Sequence, residues 1–344
     1  MSIKIYPSEK IIRTPPVNLK DSDVNLFSKE FEKSFNEVNG DVYNNSKILS
    51  NGALIQTLVN HNLYFCESIP LQGMAKFKSI TKLYLTTLNQ LFKVRKVVRL
   101  KNVLFLTNFY STNFFHWVGD VLQKLEALDL KSDFDLKKYT VPVPDTCNIA
   151  LAKHTLQKYD VQFTILEENQ IVVSDTLLNI PLISPTGNFR PKLMKRMRAR
   201  FLDSSIDNSN KERIFITREY AQKRKLLNEV ELKPILAKHG FRIVAMENLT
   251  IQEQIKIATN AEILVGLHGA GLTHMLWMNE GSKVLEIRAT DDSKNNLFFS
   301  LASDLNLKYY YMFAEPTNKK VTTQKTDFIV DPEKFEQTIK QMVS

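Results

Sequence analysis

The chain has 344 residues, 43% apolar and 24% charged, a composition and length that suit two globular domains of about 150 to 200 residues and exclude a disordered, collagenous or disulfide-scaffold protein. Forty-six Lys and Arg against 37 Asp and Glu leave a formal net charge of +9 at pH 7, which points to an anionic partner (nucleic acid, membrane, polyanion or nucleotide) without choosing among them. Cys66 and Cys147 lie far apart with no C-x-x-C spacing, so neither a metal knuckle nor a disulfide framework is indicated and a reducing compartment fits.

Charges and prolines interrupt every short apolar run in residues 1–18, so no signal-peptide core is expected there. Residues 1–100 show little sustained period. A buried strand is predicted at 103–106, then a helix in which Phe114, Val118, Val121, Leu122, Leu125 and Leu128 recur at helical spacing. A helix at 149–159 and strands at 161–166 and 171–173 continue a β/α rhythm. The pattern changes between about 184 and 210, where S-P-T-G-N-F-R-P precedes a basic helical stretch and the polar run D-S-S-I-D-N-S-N-K; this is the predicted domain junction. In the basic stretch Leu193, Met194, Met197 and Phe201 face inward, and its Arg190–Arg200 face is either solvated or meets an anionic acceptor or a membrane surface.

Beyond the junction the alternation is regular: strands at 213–217, 241–245, 262–265, 283–287 and 308–312, with helices at 228–239, 250–259, 272–278 and 295–305. Asn228 with Glu231, and Thr250 with Glu253, have capping-box spacing. A last helix at 331–342 has either domain to pack on. The most apolar stretch, 261–278, carries His268, His274 and three glycines, unlike a membrane span. The expected division is 1–187, 188–330 and a C-terminal helix, 331–344.

The most informative segment is 263–272, an apolar strand running into H-G-A-G-L. Small residues there let backbone approach a ligand, and a helix start offers free N–H groups to an anion such as a diphosphate; a tight turn without a ligand is the alternative. His274 stands where a third glycine of the dinucleotide fingerprint would be, which disfavours a dehydrogenase or epimerase. Glu286 lies in an apolar strand and is expected at its C-terminal end, facing a crevice where it accepts ribose hydroxyls, or paired with Arg288. Arg218 ends a strand and Arg224 follows in a basic loop, a pattern suited to phosphate recognition or simply solvated. His116 and Asp120, four apart on one helical face, are a candidate proton-transfer pair or a surface salt bridge. Asp133-Phe134-Asp135 spells D-x-D, but no apolar strand leads into it and a loop is expected.

Together these pieces resemble the family 61 glycosyltransferases, which include bacterial capsule and lipopolysaccharide enzymes, plant xylan-decorating transferases and animal enzymes that add N-acetylglucosamine. The matching residues are N-F-F-H-W-V-G-D at 113–120, R-I-F-I-T-R at 213–218 with Arg224 and Asn228-Glu229, E-Q-I at 253–255, H-G-A-G-L-T at 268–273 and V-L-E-I at 284–287. Their order and spacing match too, over residues 102–287. The resemblance implies a GT-B-like α/β architecture, two Rossmann-like domains facing across a cleft, with the acceptor on the N-terminal domain and the nucleotide sugar on the C-terminal one. It implies an inverting enzyme with no cofactor and no metal on D-x-D. Carried over, His268, Gly269, Ala270, Gly271, Leu272 and Thr273, with Arg218 and Arg224, hold the diphosphate of a UDP-linked sugar, and Glu286 takes the ribose hydroxyls. Asp120 is the expected base with His116 positioning the acceptor; the reverse assignment stays open. Two departures stand out: His274 replaces a common Asn, bringing a second imidazole near the nucleotide, and Val121-Leu122-Gln123-Lys124 replaces a Leu-Pro-Arg pattern, losing an arginine.

The expected partners are a nucleotide sugar and a glycan acceptor, lipid-linked or anionic, with no nucleic acid. The expected setting is surface-polysaccharide synthesis in a bacterial cytoplasm, at the inner face of the membrane. The competing expectation is a relative without chemistry whose basic C-terminal domain binds polyanions or glycans.

Overall fold

The computed structural model describes residues 2–51, 54–59, 62–65, 85, 96–108, 110–202, 211–290, 292 and 295–344; Cys66 and residues 203–210 of the polar run lie outside them. The chain forms two compact units, Met1–Glu9 with Phe35–Thr186, and Lys10–Ser34 with Gly187–Ser344.

The first unit is built on a mixed sheet. The long strand Val38–Asn51 pairs antiparallel with Ser2–Tyr6, Leu54–Val59 and Gln170–Asn179, and from the last of these Lys96–Phe105, Thr140–Pro144 and Gln162–Leu166 continue in parallel. Ile48, Val103, Phe105, Val172 and Leu177 form a buried cluster on this sheet, and the neighbouring Leu104 and Leu178 are buried as well, as in strands covered on both faces. The predicted strands at 103–106 and 171–173 are parts of longer ones, Lys96–Phe105 and Gln170–Asn179, in which polar residues interrupt the apolar run. The predicted helix at 114–128 is broken into three: a turn at Phe114–His116, a π-helical turn at Trp117–Val121, and the helix Leu122–Asp129. It is also not amphipathic in place, since Asp120, Gln123, Lys124 and Glu126 are buried with the apolar residues. A helix enclosed on all sides must give its polar side chains partners: Lys124 donates to the Leu106 carbonyl (2.9 Å) and Glu126 accepts from Tyr159 (3.0 Å).

The second unit has a parallel sheet in the order Phe241–Val244, Glu212–Ile216, Ala261–Leu267, Lys283–Ala289, Lys308–Pro316, with Phe328–Ile329 antiparallel at the edge. Counted within the unit this is strand order 2-1-3-4-5, a doubly wound arrangement whose direction of travel reverses beside Glu212–Ile216; the C-terminal ends of strands at such a reversal open a crevice. Helices Glu229–Lys238, Ile251–Asn260 and Leu297–Asp304 fall within a few residues of their predicted positions. The segment predicted as a helix at 272–278 is a 3-10 helix, Ala270–Trp277. Thr250 and Glu253 form the expected capping box. Asn228 does not cap its helix; its amide instead pairs with both backbone groups of Val330, at 2.7 and 3.1 Å.

One expected boundary needs correction, and the last helix takes one of its two expected positions. Residues 10–34 belong with the second unit rather than the first, because Arg13 and Phe27 are buried there. Arg13 grips Asp304 with two 2.9 Å bonds and also pairs with Glu30, while Phe27 packs edge-on against Phe299 and Tyr309. The C-terminal helix Pro332–Val343 packs on the second unit's own core, inserting Phe335, Ile339 and Met342 beside Phe215. Among the described residues no helix is long and apolar enough to cross a membrane.

Removing Asp304 leaves the buried Arg13 guanidinium with only the longer, 3.3 Å contact to the partly exposed Glu30 as an ion pair among the described residues. Asp304→Ala is expected to destabilise the second unit by about 3–5 kcal/mol, against about 1 kcal/mol for the exposed cap change Thr250→Ala. Urea unfolding followed through Trp277 in a Trp117→Phe background checks this; equal losses would show that the N-terminal segment is not anchored through Arg13.

Candidate functional site

The reversal point of the second unit's sheet is where its chemistry collects. Strand Glu212–Ile216 ends in Thr217-Arg218, and its neighbour Ala261–Leu267 ends in His268-Gly269. Three glycines let these ends close up. A Cβ on Gly271 would meet Ile216 at 3.1 Å, one on Gly266 would meet Leu272 at 3.2 Å, and one on Gly269 would lie 2.7 Å from Arg218 Nη1. The Arg218 guanidinium therefore lies against the H-G-A-G backbone, and its Nε and Nη2 donate to the carbonyls of Arg224 (2.8 Å) and Lys223 (3.0 Å). Arg224 turns its carbonyl back this way with a left-handed backbone, φ 59°, a conformation that is costly for a non-glycine residue and recurs at functional sites. Its own guanidinium donates to the His268 carbonyl at 3.2 Å.

Burial, with repulsion from Arg224, lowers the pKa of Arg218, and burial lowers that of Arg224; both stay cationic at neutral pH. Neither has a carboxylate bonded to it among the described residues. Two adjacent, half-buried cations bonded only to carbonyls, beside the first-turn N–H groups of Ala270 and Gly271, make a corner of the charge and geometry an anion needs. Leu272 and Thr273, expected in the same site, are buried beneath the loop, so only their backbone can face a ligand.

Glu286 is not at a crevice. It is fully buried, and both oxygens are taken: Oε1 by His268 Nδ1 and Oε2 by the Tyr309 hydroxyl at 2.5 Å. Nor does it pair directly with Arg288, whose guanidinium bonds Asn296 and the carbonyls of Asp292 and Asn295. Burial by itself would raise the Glu286 carboxyl, but His268, Arg288 and Tyr309 together hold it below the usual carboxylate range. Burial and the adjacent Glu286 push Tyr309 well above the ordinary phenol value, so Tyr309 is the donor. The result is an imidazole fixed in place by a buried anion, with Phe298 edge-on to its ring and the Asn295 amide 3.0 Å from Nε2. Arg288 in turn lies over the Phe27 ring, 5.1 Å from its centroid, which ties the N-terminal segment to the back of this network.

In the first unit, His116 Nδ1 lies 2.8 Å from Asp120 Oδ2. The pair is not a surface salt bridge, since the Asp120 side chain is 2% exposed and that of His116 is 21%. The π-helical turn, a feature common at functional sites, carries Asp120. Asn113 caps the preceding turn through Phe115 N, Tyr110 stacks on His116, and Trp117 Nε1 anchors the turn to Thr155 (2.9 Å). The same Asp120 oxygen accepts from Thr186 Oγ1 at 3.2 Å.

Other candidates resolve into supporting roles. His274 is buried with its Nδ1 2.7 Å from the Gly271 carbonyl and its Nε2 2.8 Å from Gln254 Oε1; burial lowers its pKa to about 4. It braces the loop as a neutral ring instead of facing a nucleotide. Asp133 and Asp135 lie in a loop, pairing with Lys131 and Lys138. On the basic helix Pro191–Phe201 the four expected apolar residues are buried, and Arg198 bonds Asn279 at 2.9 Å. Burial pushes the Cys147 thiol up to about 12, leaving it an unreactive core residue. Tyr309, Asn295, Phe298, Tyr110 and Thr186 were not legible as site residues, because none sits in a pattern that distinguishes it from core or loop.

Tyr309→Phe removes one donor from a carboxylate that water cannot reach. It is expected to cost about 1–3 kcal/mol of stability, read by urea unfolding through Trp277 as above. No loss would mean that Glu286 is not held by Tyr309.

The family described as Glycosyltransferase 61 matches residues 114–285, half of the chain. Among similar proteins, the EGF domain-specific O-linked N-acetylglucosamine transferase of Rattus norvegicus is 30% identical over 147 residues, covering 40% of this chain and 27% of that protein. The proteins of the same name from Gallus gallus and Drosophila melanogaster are 31% identical over 124 residues (34% of this chain, 23% of theirs) and 36% identical over 89 residues (25% and 17%). The matched stretch thus spans about a quarter or less of these relatives. The match begins two residues before His116 and ends one residue before Glu286, and the chain belongs to the glycosyltransferase 61 family.

Proposed function

We propose that this chain is a glycosyltransferase, inverting and of GT-B type, that it takes its sugar from a UDP-linked nucleotide sugar without a resident metal or other cofactor, and that it adds the sugar to a hydroxyl of a glycan acceptor. The observation that carries the donor reading is the pair of carbonyl-bound guanidiniums of Arg218 and Arg224 against Gly269. A diphosphate supplies the charge that this corner lacks, and fixed cations and helix N–H groups stabilise the leaving group as its charge develops. His268, fixed by Glu286 at Nδ1 and met by the Asn295 amide at Nε2, positions the start of the loop beside that anion instead of donating to it. Glu286, with no free oxygen for a ribose, is assigned the role of holding His268.

For the acceptor, the first unit supplies the base. With Nδ1 donating to the buried Asp120, His116 keeps Nε2 as a proton acceptor, so we assign His116 as base and Asp120 as the group that fixes its tautomer, the reverse of the assignment favoured from sequence. The acceptor proton passes to Nε2, the acceptor oxygen bonds to the anomeric carbon with inversion, and the bond from that carbon to the diphosphate breaks with its electron pair leaving on UDP.

N-acetylglucosamine, named in the relatives, is the first donor sugar to test. A lipid-linked or anionic glycan in bacterial surface-polysaccharide synthesis, met at the cytoplasmic face of the membrane, is the proposed acceptor, with capsule and lipopolysaccharide precursors as its members; the +9 charge supports it. EGF domains, the acceptors in the relatives' names, are the second class.

Calorimetry with UDP, GDP and CMP in chelator tests the donor reading. UDP is expected to bind, and Arg218→Ala or Arg224→Ala to weaken it about 10- to 100-fold. Gly269→Ala is expected to weaken it as well with little change in melting temperature, because its Cβ meets the Arg218 Nη1 end of a long side chain and not backbone. Binding of no nucleotide, or binding indifferent to all three changes, would sink the assignment. Transfer from UDP-N-acetylglucosamine, scanned over glycan and EGF-domain acceptors, should survive excess chelator. His116→Ala and Asp120→Ala are expected to leave UDP binding intact and cut transfer by about 10²- to 10⁴-fold. Strict dependence on Mn²⁺ would overturn the metal-free mechanism.

A further inference from the structure

We infer that Thr186 is a positioning residue for the proton-accepting pair, holding Asp120 in the rotamer that fixes the His116 ring; the inference rests on the reading of that pair given above. Asp120 Oδ2 receives two hydrogen bonds, from His116 Nδ1 at 2.8 Å and from Thr186 Oγ1 at 3.2 Å, whereas Oδ1 accepts none among the described residues. One donor lets a carboxylate swing about its terminal torsion, which is broad and roughly two-fold. Two donors converging from different chain segments on one oxygen fix both the torsion and which oxygen faces the ring.

Thr186 is poorly explained by packing. It is an exposed residue between exposed Pro185 and half-buried Gly187, yet its hydroxyl meets a carboxylate that is almost wholly buried. The backbone on its far side is constrained: Gly187 has φ +84°, and a Cβ there would lie 3.0 Å from Leu297 Cβ. Glycine is therefore needed at 187, and Thr186 is delivered to Asp120 by a turn that other residues would strain. In the linear sequence the two are 66 residues apart, and Thr186 falls in a stretch legible only as a domain junction.

The positioning role predicts a spectroscopic change that a merely structural contact would not produce. Long-range ¹H–¹⁵N spectra of the labelled full chain, with the His116 signals identified by their loss in His116→Gln, report which ring nitrogen carries the proton when the ring is neutral. Wild type is expected to show the Nδ1–H tautomer. Thr186→Val keeps the shape of the residue and removes the donor; it is expected to lose that tautomer in part, with Nε2–H appearing, while Thr186→Ser restores the wild-type pattern. A Thr186→Val spectrum identical to wild type overturns the inference, provided that Asp120→Ala, which removes the acceptor, abolishes the Nδ1–H form. If Asp120→Ala also leaves the form intact, the pair itself does not exist in solution and both the inference and the base assignment fall. UDP affinity is expected to be unchanged in Thr186→Val, which separates this failure from any failure of the donor site.

Discussion

A carboxylate with no exposed surface, in the middle of an apolar strand, is the constraint around which the second unit is organised. An ionised Glu286 left alone there would cost far more than a domain's whole stability, so the fold must bring it compensating groups. It brings them from separate elements: His268 from the loop after one neighbouring strand, Tyr309 from the other neighbouring strand, and the Arg288 charge from its own. The arrangement also explains the N-terminal segment. Arg288 needs an enclosure of its own, and Phe27 and Leu26 supply part of it, the latter accepting from Asn296. The anion is thus the reason why an imidazole stands fixed at the start of the H-G-A-G loop, and residues 10–34 are the back wall of that device.

The two cations at the same corner follow the opposite logic. Arg218 and Arg224 are desolvated and close to each other, and the carbonyls that bond them offset only part of the loss. Their unsatisfied charge is useful only if an anion arrives. Glu286 meets its partners within the protein, whereas Arg218 and Arg224 have only carbonyls bonded to them among the described residues, the difference on which the proposed diphosphate site rests. His268 belongs to both, one ring nitrogen on the buried anion and the other beside Asn295 at the edge of the corner.

Residues that share a motif need not share a role. In E-Q-I, Glu253 closes a capping box and Gln254 carries its amide to His274, which in turn supports Gly271. Asn228 ties the chain at Val330, and Glu229 accepts from Thr217, the residue before Arg218, at 2.6 Å. These are scaffolding contacts that end at the loop and the arginine, one step removed from any ligand. Lys124 shows the same economy in the first unit: it stands near the position of an arginine in the family pattern, fully buried, with its ammonium group on a backbone carbonyl behind the π-helical turn.

What the sequence determined by itself was the local physics. Strand and helix periods in the second unit, the Thr250–Glu253 cap, the glycines that permit close approach at 266–271, and the four-residue spacing of His116 and Asp120 all act over a few residues, and the structure carries each of them. Boundaries and burial were decided by tertiary contacts. Periodicity could not show that residues 10–34 close over the second unit, that the helix bearing Asp120 would be enclosed on every side and pass through a π-helical turn, or that Glu286 would be sealed from solvent. Nor could it find Tyr309 or Thr186, whose hydroxyls matter only because the fold carries them to carboxylates 23 and 66 residues away. Local sequence fixes which face a side chain presents, but the partners that satisfy a buried charge come from wherever the chain returns, and only the folded arrangement selects them.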